Sequence, residues 1–363
     1  MRINSLSIEN FRNYESLNLD FSNLRNIIIG ENAQGKTNLI EAIYLCAFAK
    51  SFRTNNSAEL LMFGKELAVV NANIISEDID KNIRICINNR GKKMISKDSK
   101  LVQRTADLLK NFVVIVFSPE DLRIIKDSPE KRRSFLNTEI SQLSPKYCEH
   151  LRQYNEALKQ KNALLKESFS NSYDDSLLDI FDDQLSTHGF EIIKARRNFI
   201  KGLSEKANQI QNSISGEKET LNIRIDETIN ASSVEDFKNE LLAKRDNDKN
   251  YGMSSAGPHR DDLIFLVNDK NARKFASQGQ QRTIALSLKL AEIEIAKEVL
   301  NETPVLLLDD VLSELDIERQ NFLINEISDV QLFITTTELN EVFKSKIKDA
   351  NIIKVKNGNV IPN

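Results

Sequence analysis

Apolar and polar residues alternate from the start of the chain. Leu6, Ile8, Leu17, Leu19 and Phe21 sit at every second position of two short segments, and Ile27–Ile29 is an unbroken apolar run ending at Gly30. A period of two belongs to a half-buried strand, and a short apolar run to a strand covered on both faces. Leu67–Ile75, Ile83–Ile87 and Phe112–Phe117 predict further strands, and Asn38–Ala49 predicts one early helix among them.

From about residue 130 to 210 the period becomes helical. Leu178, Phe181, Leu185, His188, Ile192, Ala195 and Phe199 are spaced alternately by three and four, a heptad seam. Leu151, Tyr154, Leu158 and Leu165 mark a shorter partner helix, so the segment predicts an arm of two or three packed helices. No proline falls between Pro145 and Pro258, which leaves room for long helices. Ser232 and Glu235, before Phe237, predict an S-x-x-E capping box for another helix. From Leu263 on, strand and helix alternate: Leu263–Val267, a helix over Thr283–Leu300, Val305–Leu308, a helix near Ile317–Ile327, then Leu332–Thr335. That is the rhythm of a parallel sheet.

Composition narrows the picture. At roughly 150 residues per domain, 363 residues predict two domains or one interrupted domain. Fifty Lys and Arg against 53 Asp and Glu exclude a partner held by overall basicity, though not by a local basic face. The longest apolar run, Phe112–Phe117, falls far short of the roughly 18 residues of a membrane span, and Met1–Ser5 lacks the apolar stretch expected of a secretory signal. Cys46, Cys86 and Cys148 are scattered and odd in number, which favours a reducing, cytoplasmic setting over disulfides or a zinc ribbon. Cys46 and Cys86 are expected as small apolar fillers, and His188 as a residue of the helical seam.

The chemistry begins where the first buried strand ends. Gly30-Glu31-Asn32-Ala33-Gln34-Gly35-Lys36-Thr37 matches G-x-x-x-x-G-K-[ST] between a strand and a helix. Backbone N–H groups of such a loop surround a β-phosphate, aided by the positive end of the helix. Lys36 would reach the β- and γ-phosphates of ATP, and Thr37 would hold Mg²⁺. Val305–Leu308 runs into Asp309 and Asp310, the first expected on the metal through water, the second on the attacking water. Ala276-Ser277-Gln278-Gly279-Gln280-Gln281 precedes a helix, where Ser277 and Gly279 could meet a γ-phosphate. Taken alone, the same residues read as a polar helix cap.

This last segment resembles the L-S-G-G-Q signature of the ABC ATPase superfamily, and Ser313-Glu314-Leu315-Asp316 resembles its S-A-L-D loop. About 240 residues separate the phosphate loop from the signature, an interval that in chromosome-maintenance and repair ATPases holds an arm. With Ile8–Tyr14, Pro119–Leu122, Pro129 with Arg132–Leu136, and Gly257–Leu263, the chain resembles the RecF family of bacterial recombination mediators over essentially its whole length. The resemblance implies an α/β fold: an ABC-type P-loop ATPase head, mixed sheet with flanking helices, plus an inserted α-helical arm. The head would comprise 1–125 and 246–363, and the arm 126–245. It also implies a weak, DNA-dependent ATPase that dimerises around ATP. Ser277, Gly279 and Gln280 of one protomer would close on ATP held by Gly30–Thr37 of the other. Partners so implied are double-stranded DNA, single/double-strand junctions and RecR, and through it RecO and RecA. Arg12 is a further candidate beside the base or ribose.

The chain departs from the superfamily in places. Asp310 stands where Glu is usual, Thr335–Thr337 where a switch histidine is expected, and Ser118–Glu120 where a glutamine is. Since a displacement of about an ångström can cost roughly 10²-fold in rate, slow hydrolysis is expected. Asp127 and Asn137 replace an expected glycine and aspartate. Two basic clusters are candidate DNA contacts: Arg123, Lys126, Lys131, Arg132 and Arg133, and Lys194, Arg196 and Arg197. Either could equally be a solvated helix face; six engaged phosphates would give a log–log salt slope of about −5. With no aromatic-rich basic strand, backbone recognition of duplex is expected. His259 is expected in a hydrogen-bonded turn, near DNA or at a dimer interface. Three rivals remain: a non-hydrolysing nucleotide-gated DNA clamp, a transporter ATPase subunit, and a repair or defence ATPase working with a nuclease partner.

Overall fold

The alternating residues of the amino-terminal segment become the inward face of a sheet. The first 123 residues supply β1 (Arg2–Phe11), β2 (Tyr14–Asp20), β3 (Arg25–Ile29), α1 (Lys36–Phe48), β4 (Leu67–Ser76), β5 (Ile79–Asn88), β6 (Lys93–Lys97), β7 (Lys100–Leu101) and β8 (Val114–Phe117). Six of these strands form an antiparallel sheet in the order β2-β1-β4-β5-β6-β7. Ile3, Leu6 and Ile8 of β1, Ala72 and Ile74 of β4, and Ile83, Ile85 and Ile87 of β5 are buried, while the residues between them face outward.

The structure is a computed structural model that describes residues 1–167, 175–338 and 350–361. It divides into two units, Met1–Arg123 with Arg282–Asn363, and Ile124–Gln281. The second segment of the first unit adds most of α8 (Gln278–Leu300), then β12 (Val305–Asp309), α9 (Ile317–Glu326), β13 (Leu332–Thr336), β14 (Asn351–Lys356) and β15 (Asn359–Ile361). These complete a second six-stranded sheet, β15-β14-β3-β13-β12-β8, parallel except for the β14–β15 hairpin. Its central strands are apolar on both faces, as a covered parallel sheet requires: Val305–Leu308 and Phe333–Ile334 are buried throughout. Every residue from Leu39 to Phe48 in α1 is buried, and this helix contacts strands of both sheets. The unit is thus held together from both chain ends. Gln331 seals the join, its side chain bonding the backbone N–H and C=O of Ile3 at 2.7 and 2.9 Å.

The second unit contains α2 (Pro129–Leu143), α3 (Pro145–Glu167), α4 (Asp175–Ser215), β9 (Leu221–Asp226), α5 (Val234–Ala243), α6 (Arg245–Tyr251), β10 (Asp262–Val267), β11 (Lys270–Asn271) and α7 (Ala272–Phe275). At 41 residues α4 is about 60 Å long. It runs antiparallel to α3, since Tyr147, His150 and Lys161 meet Arg196, His188 and Asp182 in reverse order. Leu178, Leu185 and Ile192 of the heptad seam are buried; Phe181, His188, Ala195 and Phe199 are only partly so. A second stripe, Ile193, Ile200, Leu203 and Ala207, is buried as well, because α4 packs on β9 and α5 in addition to α3.

Three expectations are corrected here. The inserted unit runs from Ile124 to Gln281, beyond residue 245, and is not purely helical. Leu263–Val267 does not begin the parallel sheet: β10 pairs antiparallel with β9 in a separate sheet, β11-β10-β9, and this pairing draws the following residues into the second unit. The cap of α5 lies one residue on, with the Ser233 side chain accepting the Asp236 N–H while Ser232 bonds the Asp236 carboxylate.

Candidate functional site: a phosphate-binding cavity

The turn from β3 into α1 is built so that its backbone stays open. Gly35 caps α1 with φ +116°, and a Cβ there would lie 2.6 Å from the Asn13 side chain, so only glycine fits. Side chains outside the loop hold it. Asn13 Nδ2 donates to the Gln34 carbonyl at 2.9 Å, the Tyr14 hydroxyl to the Gly35 carbonyl at 3.0 Å, and the Gly358 N–H to the Gln34 carbonyl at 3.0 Å. The β1–β2 and β14–β15 turns therefore clamp the loop from opposite ends of the chain. Glu31, Asn32 and Ala33 are exposed at its tip.

Inside the loop, Lys36 is buried, its ammonium on the carbonyls of Gly30 at 2.8 Å and Glu31 at 3.1 Å. Thr37 donates its hydroxyl to Asp309 Oδ1 at 2.9 Å. Thr335, opposite Asp309 in the parallel register, donates to the same oxygen at 2.8 Å and accepts the Asp310 N–H at 2.9 Å. Burial pushes the Asp309 carboxyl above the usual range, opposed by the hydroxyls of Thr335 and Thr37. Asp310 sits at φ +53°, a left-handed conformation that Asp tolerates better than most residues.

These groups border a cavity of about 330 Å³ lined by Asn32, Ala33, Gly35, Lys36, Thr37, Asn38, Arg53 and Asp310. A ring of donors at the amino end of a buried helix can take a polyphosphate, and one hydroxyl beside one carboxylate are hard oxygen ligands that suit Mg²⁺. Arg53 gives no signal in the sequence. Asn38 accepts from its guanidinium at 2.8 Å, and buried Glu41 stands 3.6 Å away. Arg12 lies outside this lining; it forks onto Glu41 with two bonds of 2.8 Å.

Over residues 2–360 the chain matches the RecF/RecN/SMC N terminal domain family. It is 42% identical to the DNA replication and repair protein RecF of Lachnospira eligens, over 99% of each chain. The chain belongs to the RecF family. The Clostridium novyi member is also 42% identical over 99% of each chain. Among solved structures, the recombination mediator proteins described as RecF-ATPrS and RecF-ATP in the RecFOR pathway superpose with TM-scores of 0.91 and 0.90 at 36% identity. Each match covers 99% of this chain, and 97% and 96% of the other. The Smc head of Pyrococcus furiosus, 15% identical with a TM-score of 0.56, shares the fold. The expected ABC-type ATPase architecture of the family is thus present.

The signature segment belongs to the second unit, where it forms a reciprocal capping box. Ser277 Oγ accepts the Gln280 N–H at 3.2 Å, and Gln280 Oε1 accepts the Ser277 N–H at 2.9 Å. Gln280 Nε2 also bonds Glu219 at 2.9 Å, so both ends of its amide have a partner within its own chain. Ser277 is exposed and Gly279 half-buried.

The two basic clusters come apart. Arg132 and Arg196 are buried and cannot reach a phosphate backbone. Arg132 forks onto Asp262 at 2.7 and 2.8 Å, while Arg196 bonds the Pro258 carbonyl at 2.7 Å, Asn137 at 2.9 Å and the Tyr147 hydroxyl at 3.2 Å. Arg197 forks onto Glu227, Arg133 donates to the Asp261 carbonyl and Lys126 to the Arg273 carbonyl. Arg123, Lys131 and Lys194 are exposed. In the Gly257–Asp262 turn, Tyr154 bonds His259 Nδ1 at 2.8 Å and the Ser254 carbonyl lies 3.2 Å from Nε2. A carbonyl only accepts, so Nε2 carries the proton. Among the described residues no helix is long and apolar enough to cross a membrane.

Proposed function

We propose that this chain is an ATP-dependent DNA-binding repair protein that dimerises around ATP and helps load a recombinase at gaps and single/double-strand junctions. The observation that carries this reading is the cavity between Lys36, Thr37 and Asp310, backed by Asp309, in a chain similar throughout to RecF-ATP. The Gly30–Thr37 backbone and Lys36 hold the triphosphate, and Arg53 adds a second cation on the same wall. Thr37, and Asp309 through water, would hold Mg²⁺, which when bound would offset negative charge on the polyphosphate. Asp310 orients a water for attack on the γ-phosphorus; the new P–O bond forms as the bond to the β–γ bridging oxygen breaks, leaving ADP and phosphate. The short Asp310 side chain keeps this step slow, so ATP acts as the timer of a clamp. Ser277 and Gly279 of a second protomer supply the lid.

The dimer works in the cytoplasm with RecR, and through it RecO and RecA. Arg123, Lys126, Arg133 and Arg197 are among the members of the two clusters placed outside the core of their units, and serve as DNA contacts. The geometry keeps one alternative, a clamp that never hydrolyses, because Asp310 is a methylene shorter than Glu. Phosphate release measured with and without duplex DNA decides between them. Slow turnover that rises with DNA and falls about 10²-fold or more in Lys36→Arg is expected for the ATPase. No Lys36-dependent turnover under either condition leaves the pure clamp.

A further inference from the structure

Many of the cations named so far are held by their own chain, and a denser group of exposed cations lies elsewhere. Residues 79–104 carry eight Lys and Arg against two Asp, a local charge of +6 in a chain whose net charge is −3, so the remainder stands at −9. This excess falls on the β5–β6–β7 end of the antiparallel sheet. The side chains of Arg84, Arg90, Lys92 and Lys100 are exposed there and, among the described residues, have no hydrogen-bond or ion-pair partner. Lys93 and Lys97 instead tie the ribbon down, on the Ala49 carbonyl and on Asn111.

We propose that this β5–β6–β7 ribbon is a contact surface for the phosphate backbone of duplex DNA. The inference rests on the DNA-binding reading above and assigns that reading a surface.

The ribbon is rigid enough to present its charges. Asn88 Oδ1 accepts the N–H groups of both Arg90 and Lys92, at 3.1 and 2.9 Å, which fixes the β5–β6 turn. On the outward face Arg84 stands opposite Asn71 on one side and Ser96 on the other, and Asn71 stands opposite Ser7. The cation is therefore framed by short uncharged side chains that bond phosphate oxygens without repelling them. The five residues of β6 separate the two charged turns by about 17 Å, the axial span of about five phosphates of one strand. No aromatic residue occurs between 79 and 104, so base stacking has no platform and the backbone is what the ribbon can hold.

The test is fluorescence anisotropy of a labelled blunt duplex with full-length protein and ATP, across a salt series. The double variant Arg90→Ala/Lys92→Ala should bind on the order of 50-fold more weakly at 0.1 M salt, with a log–log salt slope shallower by about two. ATP affinity should be unchanged, and Lys65→Ala, which removes a cation already paired with Glu15 on the same sheet, should change little. If wild type binds duplex and the double variant binds it equally, the ribbon is overturned while the DNA-binding reading stands. If wild type binds no duplex with ATP present, that reading fails and takes the ribbon with it.

Discussion

Gly30–Thr37 in the first unit and Gly257–Asp262 in the second are alike in outline. Each is a polar turn that needs a glycine at positive φ, Gly35 at +116° and Gly257 at +127°, where a Cβ would meet the Tyr154 hydroxyl at 2.3 Å. They differ in where their polar groups go. The first turn is gripped from outside by Asn13, Tyr14 and Gly358 and leaves its inner face on a cavity. The second is used up by its surroundings. Arg196 takes the Pro258 carbonyl, Thr228 bonds both Gly257 and Asp261, and His259 lies between Tyr154 and Ser254. Glycine and polarity mark both turns in the sequence; only the direction of the hydrogen bonds separates a ligand site from a scaffold.

That contrast can be broken most forcefully at Arg196. Arg196→Ala strands Asp261, which is nearly buried, and should destabilise the protein by about 3–5 kcal/mol in urea denaturation. Lys36→Arg, in the open turn, should move the same curve little. A loss below about 1 kcal/mol for Arg196→Ala would mean that the second turn is not a scaffold.

His259 sharpens the same point through pH. Burial lowers its pKa to about 4 from 6.5. Between those values the unfolded chain binds more protons than the folded one, so stability is fully present above about pH 6.5 and is lost as pH falls toward 4. The loss should be about 3 kcal/mol, read as a falling denaturation midpoint. His259→Asn should flatten this slope; an unchanged slope would assign it to other groups.

Much of the first unit was legible because its signals are local. Alternation in β1 and β2, apolar runs in β3 and β12, and the motif Gly30–Thr37 each declare themselves within ten residues or so. Legibility failed where the deciding partner is remote. Arg132 and Arg196 read as surface charge because Asp262 and Asp261, the carboxylates that neutralise them, lie 130 and 65 residues away. β10 read as part of the parallel sheet because its real partner, β9, precedes it across a turn and two helices. Arg53 and Asn13 acquire meaning only when the chain folds them against α1. Thr335 stood out as a missing histidine, yet its hydroxyl ties Asp309 to the Asp310 backbone. Strand pattern in β5 concealed the exposed cations of the ribbon it begins.

The central claim is that one protomer holds the triphosphate and a second copy covers it, and light scattering of full-length protein with a slowly hydrolysed ATP analogue tests it most directly. Wild type should pass from monomer to dimer, while Ser277→Arg, at an exposed position outside the cavity, should bind nucleotide yet remain monomeric. Equal dimerisation of the two proteins, or no dimer from either at saturating nucleotide, would contradict the account.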